Sequence, residues 1–299
     1  MEFDNAALGF ERLVSEGTPL ETIAEGFMFT EGPVWHHDER HLRFSDIPGD
    51  KLYQWSPSEG VTVYLESSAK SNGLTYDRHG QLLICEHVGR RVSRVEADGS
   101  LVSVASNYGG QRLNSPNDVV VKSDGAVYFS DPNSGIKNDY IGALADQELD
   151  WMGVYRLSPD GSELTLLDRE FNGRPNGLAF SPDESLLYVD DTPELLIKVY
   201  DVRPDGTGAN GRVFARTLGD EPGMPDGMKV DVEGNVYCTA QGGVHVFAPD
   251  GRLLGRIRTP TRVANLAWGD DDWQTLYLTG TDKMYRLRMN VAGIPVGPW

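Results

Sequence analysis

The stretch Phe29-Thr-Glu-Gly-Pro-Val-Trp35 contains a short phrase in which a polar residue, a small residue and an apolar run follow one another. Variants of this phrase recur along the chain, and each begins with a residue whose side chain carries an oxygen. The six leading residues are Glu31, Asn72, Asn117, Asn176, Asp226 and Asn265. Internal repetition on this scale predicts one supersecondary unit stacked on itself.

The spacing of the leading residues indicates which unit is repeated. Successive leaders are 41, 45, 59, 50 and 39 positions apart, close to the roughly 40–50 residues of a four-stranded propeller blade. A turn such as Asp77-Arg-His-Gly80 follows each of the last five leaders and feeds a strand-like run. A second set of turns, including Pro159-Asp-Gly161 and Pro249-Asp-Gly251, adds another hairpin to the repeat. The sequence therefore predicts an all-β, six-bladed β-propeller with the leaders on its innermost strands and a metal site at its centre.

We expect residues 1–299 to form one propeller domain, because no linker-like stretch divides the chain. Closing the ring requires a strand from the N-terminal region, and either Phe10 to Val14 or Leu20 to Ala24 is predicted to pair with Met284 to Leu287. The longest interval between leaders contains Asn133 to Trp151, which is predicted to be a loop insertion on the third blade. Such loops often cover a ligand site, and a role as a lid is left open.

The composition argues against several classes of function. A formal net charge of −18 and a pI near 4.7 disfavour binding to nucleic acid or to anionic membranes. No apolar run approaches the ~20 residues of a membrane span, and the first residues lack the pattern of a signal peptide. A cytoplasmic protein, either a monomer or a small homo-oligomer, is expected.

The leading residues also predict a metal site, because radially arranged blades would direct their six side-chain oxygens at one axis. Two leaders, Glu31 and Asp226, are carboxylates, whereas the other four are asparagines that offer neutral carbonyl oxygens. Such a set suits Ca²⁺, which accepts 6 to 8 oxygen ligands including water. No imidazole or thiolate occupies a leading position to favour zinc. One divalent cation is expected, most simply Ca²⁺, with Zn²⁺, Mn²⁺ and Mg²⁺ as alternatives.

Four ordered motifs resemble the senescence marker protein/gluconolactonase family, in particular its bacterial gluconolactonase-like members. The motifs are Phe29 to Trp35, Arg112-Leu-Asn-Ser-Pro-Asn-Asp118, Arg174-Pro-Asn-Gly-Leu-Ala-Phe180 with Tyr188-Val-Asp-Asp-Thr192, and Pro225-Asp-Gly-Met-Lys-Val-Asp231. The resemblance implies a six-bladed propeller with one catalytic divalent ion that hydrolyses sugar lactones. Carried over motif by motif, it places metal ligands at Glu31, Asn176 and Asp226, with Asn117 in or beside the coordination sphere.

The residues that contact the substrate are less well defined by the resemblance. Animal members carry an arginine two residues before the third-blade asparagine, and this chain has Ser115 there. Either Arg112 or Asn114 is therefore a candidate to replace that arginine. The full set of candidate substrate contacts is Asn117, Arg112, Asn114, Asn72 and His87.

These observations predict a metal-dependent hydrolase that opens a small-molecule sugar lactone, an aldonolactone, to its hydroxy acid. Water attack places negative charge on the lactone carbonyl oxygen, where a divalent ion can stabilise it. Asp226 is the expected general base, and the resemblance assigns that role to the equivalent residue. Two alternatives stay open: a propeller hydrolase acting on phosphotriesters or other cyclic esters, and a non-catalytic binding propeller stabilised by its metal.

Overall fold

The computed structural model describes residues 3–5 and 9–298. These residues form six antiparallel sheets of at least four strands, and the first strands of the sheets contact one another in order around a ring. This architecture confirms the predicted all-β, six-bladed propeller.

The strands of each blade are given from the centre of the ring outward. Blade 1 consists of Thr30–His36, His41–Asp46, Lys51–Ser56 and Gly60–Glu66. Blade 2 consists of Ser71–Tyr76, Leu82–Glu86, Arg91–Val95 and Leu101–Ala105. Blade 3 consists of Val119–Val121, Val127–Asp131, Gly153–Leu157 and Leu164–Asp168. Blade 4 consists of Pro175–Phe180, Leu186–Asp191, Leu196–Val202 and Gly208–Arg216. Blade 5 consists of Met228–Val230, Val236–Ala240, Gly243–Phe247 and Leu253–Arg258, with Phe3–Asn5 as a fifth, outer strand. Blade 6 consists of Asn265–Gly269, Thr275–Gly280, Lys283–Arg288 and Glu21–Glu25.

Little regular structure lies outside the blades in the described part of the chain. A two-stranded ribbon joins Asn107–Tyr108 to Gln111–Arg112, and the helices Phe10–Leu13 and Ser134–Lys137 have four residues each. Within the described ranges, no helix has the length and apolar character needed to cross a membrane.

The ring is closed by a strand from the N-terminal part of the chain. Glu21–Glu25 pairs antiparallel with Lys283–Arg288, and Thr22 lies opposite Tyr285. The other segment considered for this role contains the helix Phe10–Leu13, which buries Phe10 and Leu13 instead of adding a strand. Blade 6 thus combines both ends of the chain, which removes the open edge that an unclosed ring would expose.

Glycines next to the leading residues let the inner strands approach closely at the hub. A Cβ on Gly32 would lie 2.0 Å from the backbone oxygen of Asn72, in the next blade. A Cβ on Gly177 would lie 2.0 Å from the backbone oxygen of Asp226. Real Cβ atoms do not approach this closely, so the repeated glycine is a steric requirement of the ring.

Aromatic side chains fill the space between blades. The second strands of blades 3, 4, 5 and 6 each carry a buried tyrosine at the equivalent place: Tyr128, Tyr188, Tyr237 and Tyr277. Trp35 of blade 1 stacks on Tyr277 of blade 6, with ring centroids 5.4 Å apart. Trp35 therefore packs across the junction at which the ring closes.

The last described segment crosses the ends of the inner strands that lie opposite the leading residues. The backbone N–H of Ile294 donates to the Val230 oxygen, and the Arg78 guanidinium donates to the Gly297 oxygen at 2.8 Å. The C-terminal segment thus covers that end of the hub.

The glycine contacts predict that Gly177→Ala destabilises the protein, because the new methyl group would collide with backbone of the adjacent blade. Overpacking of this kind costs about 1–3 kcal/mol, and urea unfolding would measure it. Gly208→Ala is the matched control, since its Cβ would meet Tyr200 at an ordinary 3.6 Å. Equal stability losses in the two variants would contradict the steric account.

The buried His245 predicts a specific dependence of stability on pH. Burial lowers the pKa of its imidazole from 6.5 to about 4. Between these values the unfolded chain binds a proton that the folded chain does not, so stability falls as the pH is lowered through this window. Relative to His245→Gln, the wild type should lose roughly 1–2 kcal/mol of unfolding free energy between pH 7 and pH 5. Denaturant unfolding at each pH would measure the free energy of unfolding of both proteins. Parallel pH profiles of this free energy would refute the prediction.

Candidate active site

An open cavity of about 600 Å³ lies at the end of the hub where the leading residues converge. Five of the six leading residues line it: Glu31, Asn72, Asn117, Asn176 and Asp226. The sixth, Asn265, reaches the site indirectly through a hydrogen bond to Glu31. The propeller thus brings together side chains that are far apart in sequence.

Glu31 is a buried carboxylate held by two donors. Its Oε2 accepts hydrogen bonds from the Gly32 N–H at 2.7 Å and from Nδ2 of Asn265 at 2.9 Å. Burial raises the pKa of Glu31 well above its usual range, and the nearby charge of Asp226 adds to this effect. The two hydrogen bonds act in the opposite direction.

Asp226 is also buried, and each of its oxygens accepts a hydrogen bond. Oδ1 accepts from Nδ2 of Asn176 at 2.7 Å, and Oδ2 accepts from Nη2 of Arg262 at 3.0 Å. Burial raises the pKa of Asp226 to about 6, while the charge of Arg262 and the two hydrogen bonds oppose the rise. The same Asn176 amide also donates to the Thr192 hydroxyl at 3.1 Å.

Two further carboxylates, Asp118 and Asp190, are buried next to these residues. Burial raises the pKa of Asp118, and Lys229 partly offsets the rise. Burial also raises the pKa of Asp190 well above its usual range, and the charges of Asp226 and Asp118 reinforce it. Several carboxylates are therefore close enough to repel one another in a poorly solvated hub, which is costly without an opposing positive charge.

The hydrogen bonds of His87 determine how Asn72 is oriented. Nδ1 of His87 lies 2.8 Å from the backbone oxygen of Ile141, which can only accept, so Nδ1 carries the proton. Burial lowers the pKa of His87 to about 4, so the ring is neutral and its Nε2 is an acceptor. Nδ2 of Asn72, at 3.2 Å, must then donate to Nε2. Asn72 is left with a buried Oδ1 that has no hydrogen-bond donor among the described residues.

The chemistry of this donor set fits a hard divalent cation. Carboxylate oxygens come from Glu31 and Asp226, and amide oxygens are available from Asn72, Asn117 and Asn176. As a ligand, Asn176 would present its amide oxygen in place of the amino group that now faces Asp226. The described residues contain no group of three or more His, Cys, Asp or Glu side chains arranged for a metal, so asparagines would have to complete the shell. Oxygen-rich shells with neutral carbonyls are typical of Ca²⁺.

Two of the candidate substrate contacts, Arg112 and Asn114, do not line the cavity. The exposed Arg112 donates to the Gly89 oxygen at 3.2 Å. Asn114 is fully buried, and its amide donates to the backbone oxygens of Asp131 and Trp151. These hydrogen bonds hold the third-blade loop in place, which accounts for a polar residue at this buried position. His87 does not line the cavity either and reaches it through Asn72.

The insertion between Asn133 and Trp151 forms one wall of the cavity. Residues 133, 134, 137, 138, 140 and 141 line it. Ser115 anchors this segment, because its hydroxyl donates to the Pro132 oxygen at 2.6 Å and accepts from the Gly135 N–H at 3.0 Å. The residue at the arginine position of the animal proteins thus has a structural contact here.

Sequence reasoning missed three basic residues and one hydroxyl at the cavity. They are Lys137, Arg174, Arg262 and Thr192. Arg174 and Thr192 lie within motifs that the family resemblance already included, and that was the available signal. Arg262 stands three residues before the leader Asn265, outside the repeated phrase, so the pattern gave no indication of it.

Comparisons with known proteins agree with this architecture. Residues 29–282 match the family described as the SMP-30/Gluconolactonase/LRE-like region. The chain is 34% identical to a gluconolactonase from Zymomonas mobilis, over 95% of this chain and 85% of that protein. It is 31% identical to the pentonolactonase XacC of Haloferax volcanii, over 83% of this chain and 80% of that protein. A solved structure of a Xanthomonas campestris gluconolactonase superimposes with a TM-score of 0.90 at 36% identity, covering 97% of this chain and 95% of that one.

Proposed function

The chain belongs to the SMP-30/gluconolactonase/LRE-like family of sugar lactonases, and we propose that it opens an aldonolactone with the help of a divalent cation at the hub. The observation that carries this proposal is the convergence of two buried carboxylates and three asparagine amides on one cavity. The product would be the open-chain hydroxy acid.

We assign Glu31, Asn117, Asn176 and Asp226 as the cation ligands, with Asn72 as an additional oxygen donor. When bound, the cation would stabilise negative charge on the lactone carbonyl oxygen and favour ionisation of a water molecule. The all-oxygen donor set supports Ca²⁺ over Zn²⁺.

Asp226 is the proposed general base. It accepts a proton from the water whose oxygen attacks the carbonyl carbon, and the ring C–O bond then breaks as the ring oxygen takes up a proton. Arg262 holds Oδ2 of Asp226 at 3.0 Å, which favours the ionised carboxylate and fixes its orientation. Asn117 and Asn176 line the cavity from neighbouring blades and would orient the ester group of the substrate.

Glu31 has a different role from Asp226 in this proposal. Both donors to Glu31 share one oxygen, Oε2, and come from residues of the hub itself, Gly32 and Asn265. Its position is thus fixed by the first and sixth blades, and it serves as a charge-balancing ligand. Of these two carboxylates, Asp226 is the one that forms an ion pair, with Arg262, and this contact favours the ionised form that a proton acceptor needs.

Removal of divalent cations should abolish lactone hydrolysis. The measurement follows acid release from glucono-δ-lactone before chelation, after chelation, and after separate addition of Ca²⁺, Mn²⁺, Zn²⁺ or Mg²⁺. We expect the largest recovery with Ca²⁺, because the donors are all oxygens. Full activity in a preparation shown by elemental analysis to be free of metal would refute the mechanism.

Asp226→Asn should lower kcat by about 10²–10⁴-fold, the range expected for loss of a general base. The asparagine keeps an oxygen for the cation, so binding should weaken less than turnover, as measured by calorimetric titration with Ca²⁺. The matched control is Asp250→Asn, which makes the same change at an exposed turn and should leave kcat unaltered. Near-normal turnover in Asp226→Asn would exclude Asp226 as the base.

A further inference from the structure

The charged residues around the cavity are distributed unevenly. Besides Glu31 and Asp226, every charged residue that lines it among the described residues is basic: Lys137, Arg174 and Arg262. The chain as a whole is acidic, with 45 acidic and 27 basic residues. Since a divalent cation would neutralise the two carboxylates, the three basic groups would leave this cavity positive on a negative protein.

The backbone of Arg174 is held by a hydrogen bond, whereas its side chain has no polar partner among the described residues. The backbone N–H donates to Oδ1 of Asp191 at 2.8 Å, which fixes the residue at the start of the inner strand of blade 4. Its half-buried guanidinium makes no hydrogen bond or ion pair with the described residues. A guanidinium that lines a cavity without an internal partner is available to a ligand.

Lys137, in the insertion of the adjacent blade 3, also lines the cavity without an ion-pair partner among the described residues. It is the exposed last residue of the helix Ser134–Lys137, within the insertion that forms the cavity wall. Its ammonium group forms no ion pair within the part of the chain that the structure describes. The segment that follows is fastened to blade 2, because Nζ of Lys70 donates to the backbone oxygen of Tyr140 at 3.0 Å.

Arg262 differs from these two residues because it already pairs with Asp226. Arg262 therefore balances the charge of the proposed base, whereas Arg174 and Lys137 pair with no carboxylate among the described residues. A neutral sugar lactone would gain nothing from two unpaired cations that it must partly desolvate. An oxyanion would pair with both, and a guanidinium binds phosphate, sulfonate or carboxylate through two parallel hydrogen bonds.

We propose that the preferred substrate is an anionic sugar lactone, whose terminal oxyanion is bound by Arg174 and Lys137 while its ester group lies at the hub. This inference rests on the proposed lactonase function and narrows its substrate class. Substrates of this class share an oxyanion, which is a phosphate, sulfonate or carboxylate group at a position remote from the lactone carbonyl. Because the oxyanion would be bound by two charged side chains, the preference for anionic lactones should weaken as the salt concentration rises.

The test compares kcat/KM for glucono-δ-lactone with values for the same ring carrying a 6-phosphate, a 6-sulfonate or a 6-carboxylate. The wild-type enzyme should prefer at least one anionic lactone by about tenfold to a hundredfold, the value of one or two charge-assisted hydrogen bonds. The relative rates among the three lactones identify which oxyanion is bound. Raising the NaCl concentration should reduce the preference.

Substitutions connect the preference to the two residues. In the double variant Arg174→Gln, Lys137→Gln the ratio of kcat/KM for the anionic lactone to that for glucono-δ-lactone should fall at least about tenfold, mainly through KM for the anionic lactone. Arg252→Gln is the matched control, because it removes an exposed arginine that does not line the cavity, and it should keep the wild-type ratio. Thermal melting verifies that each variant is folded.

The possible failures are distinguishable. Rapid hydrolysis of the neutral lactone without any preference for anionic ones would overturn this inference and leave the lactonase function intact. A preference that persists in the double variant would also overturn it, because other residues would then bind the oxyanion. Failure to hydrolyse any lactone in the presence of Ca²⁺ would instead overturn the function on which the inference rests.

Discussion

The close approach of neighbouring inner strands at the hub is the constraint on which the rest of the structure depends. Gly32 and Gly177 have no room for a Cβ, because backbone oxygens of the next blade lie where that atom would be. The same close approach recurs at Gly73 and Gly227, so four of the six leading residues are followed by a glycine that packs against the next blade. Once the repeats are held at this distance, the side chains of five leading residues line one cavity, and the sixth contacts it through Glu31. The site is therefore a consequence of how the blades pack.

That geometry has an electrostatic cost. Glu31, Asp118, Asp190 and Asp226 are all buried, and burial raises the pKa of each. A hub designed only for stability would replace these groups by apolar side chains, because burying like charges together is unfavourable. Carboxylates retained under such conditions are characteristic of functional sites. A bound cation would offset their repulsion, which gives a physical reason for coupling metal binding to the stability of the ring.

The sequence predicted the repeated parts of the structure and the location of two features that occur once, the ring-closing strand and the third-blade insertion. It did not predict which single side chains outside the repeated phrase line the cavity. The period and the turns indicated six blades, and the phrase containing Glu31 located the residues that meet in the cavity. Arg112 and Asn114 were selected by analogy with a single arginine, yet the direction of a loop side chain depends on local backbone bonds that no period encodes. Asn114 is turned inward by the carbonyls it must satisfy. Arg262 was missed because it precedes the repeated phrase.

The insertion of blade 3 shows how a non-repeating segment can act on the repeated hub. The backbone oxygen of Ile141 fixes the proton of His87 on Nδ1, and Nε2 then orients Asn72. The same insertion carries Lys137 into the cavity wall. One segment therefore sets both the direction of an amide at the proposed cation site and a positive charge in the cavity wall. Changes in this loop can alter substrate choice while the hub, which is constrained by its glycines, stays the same.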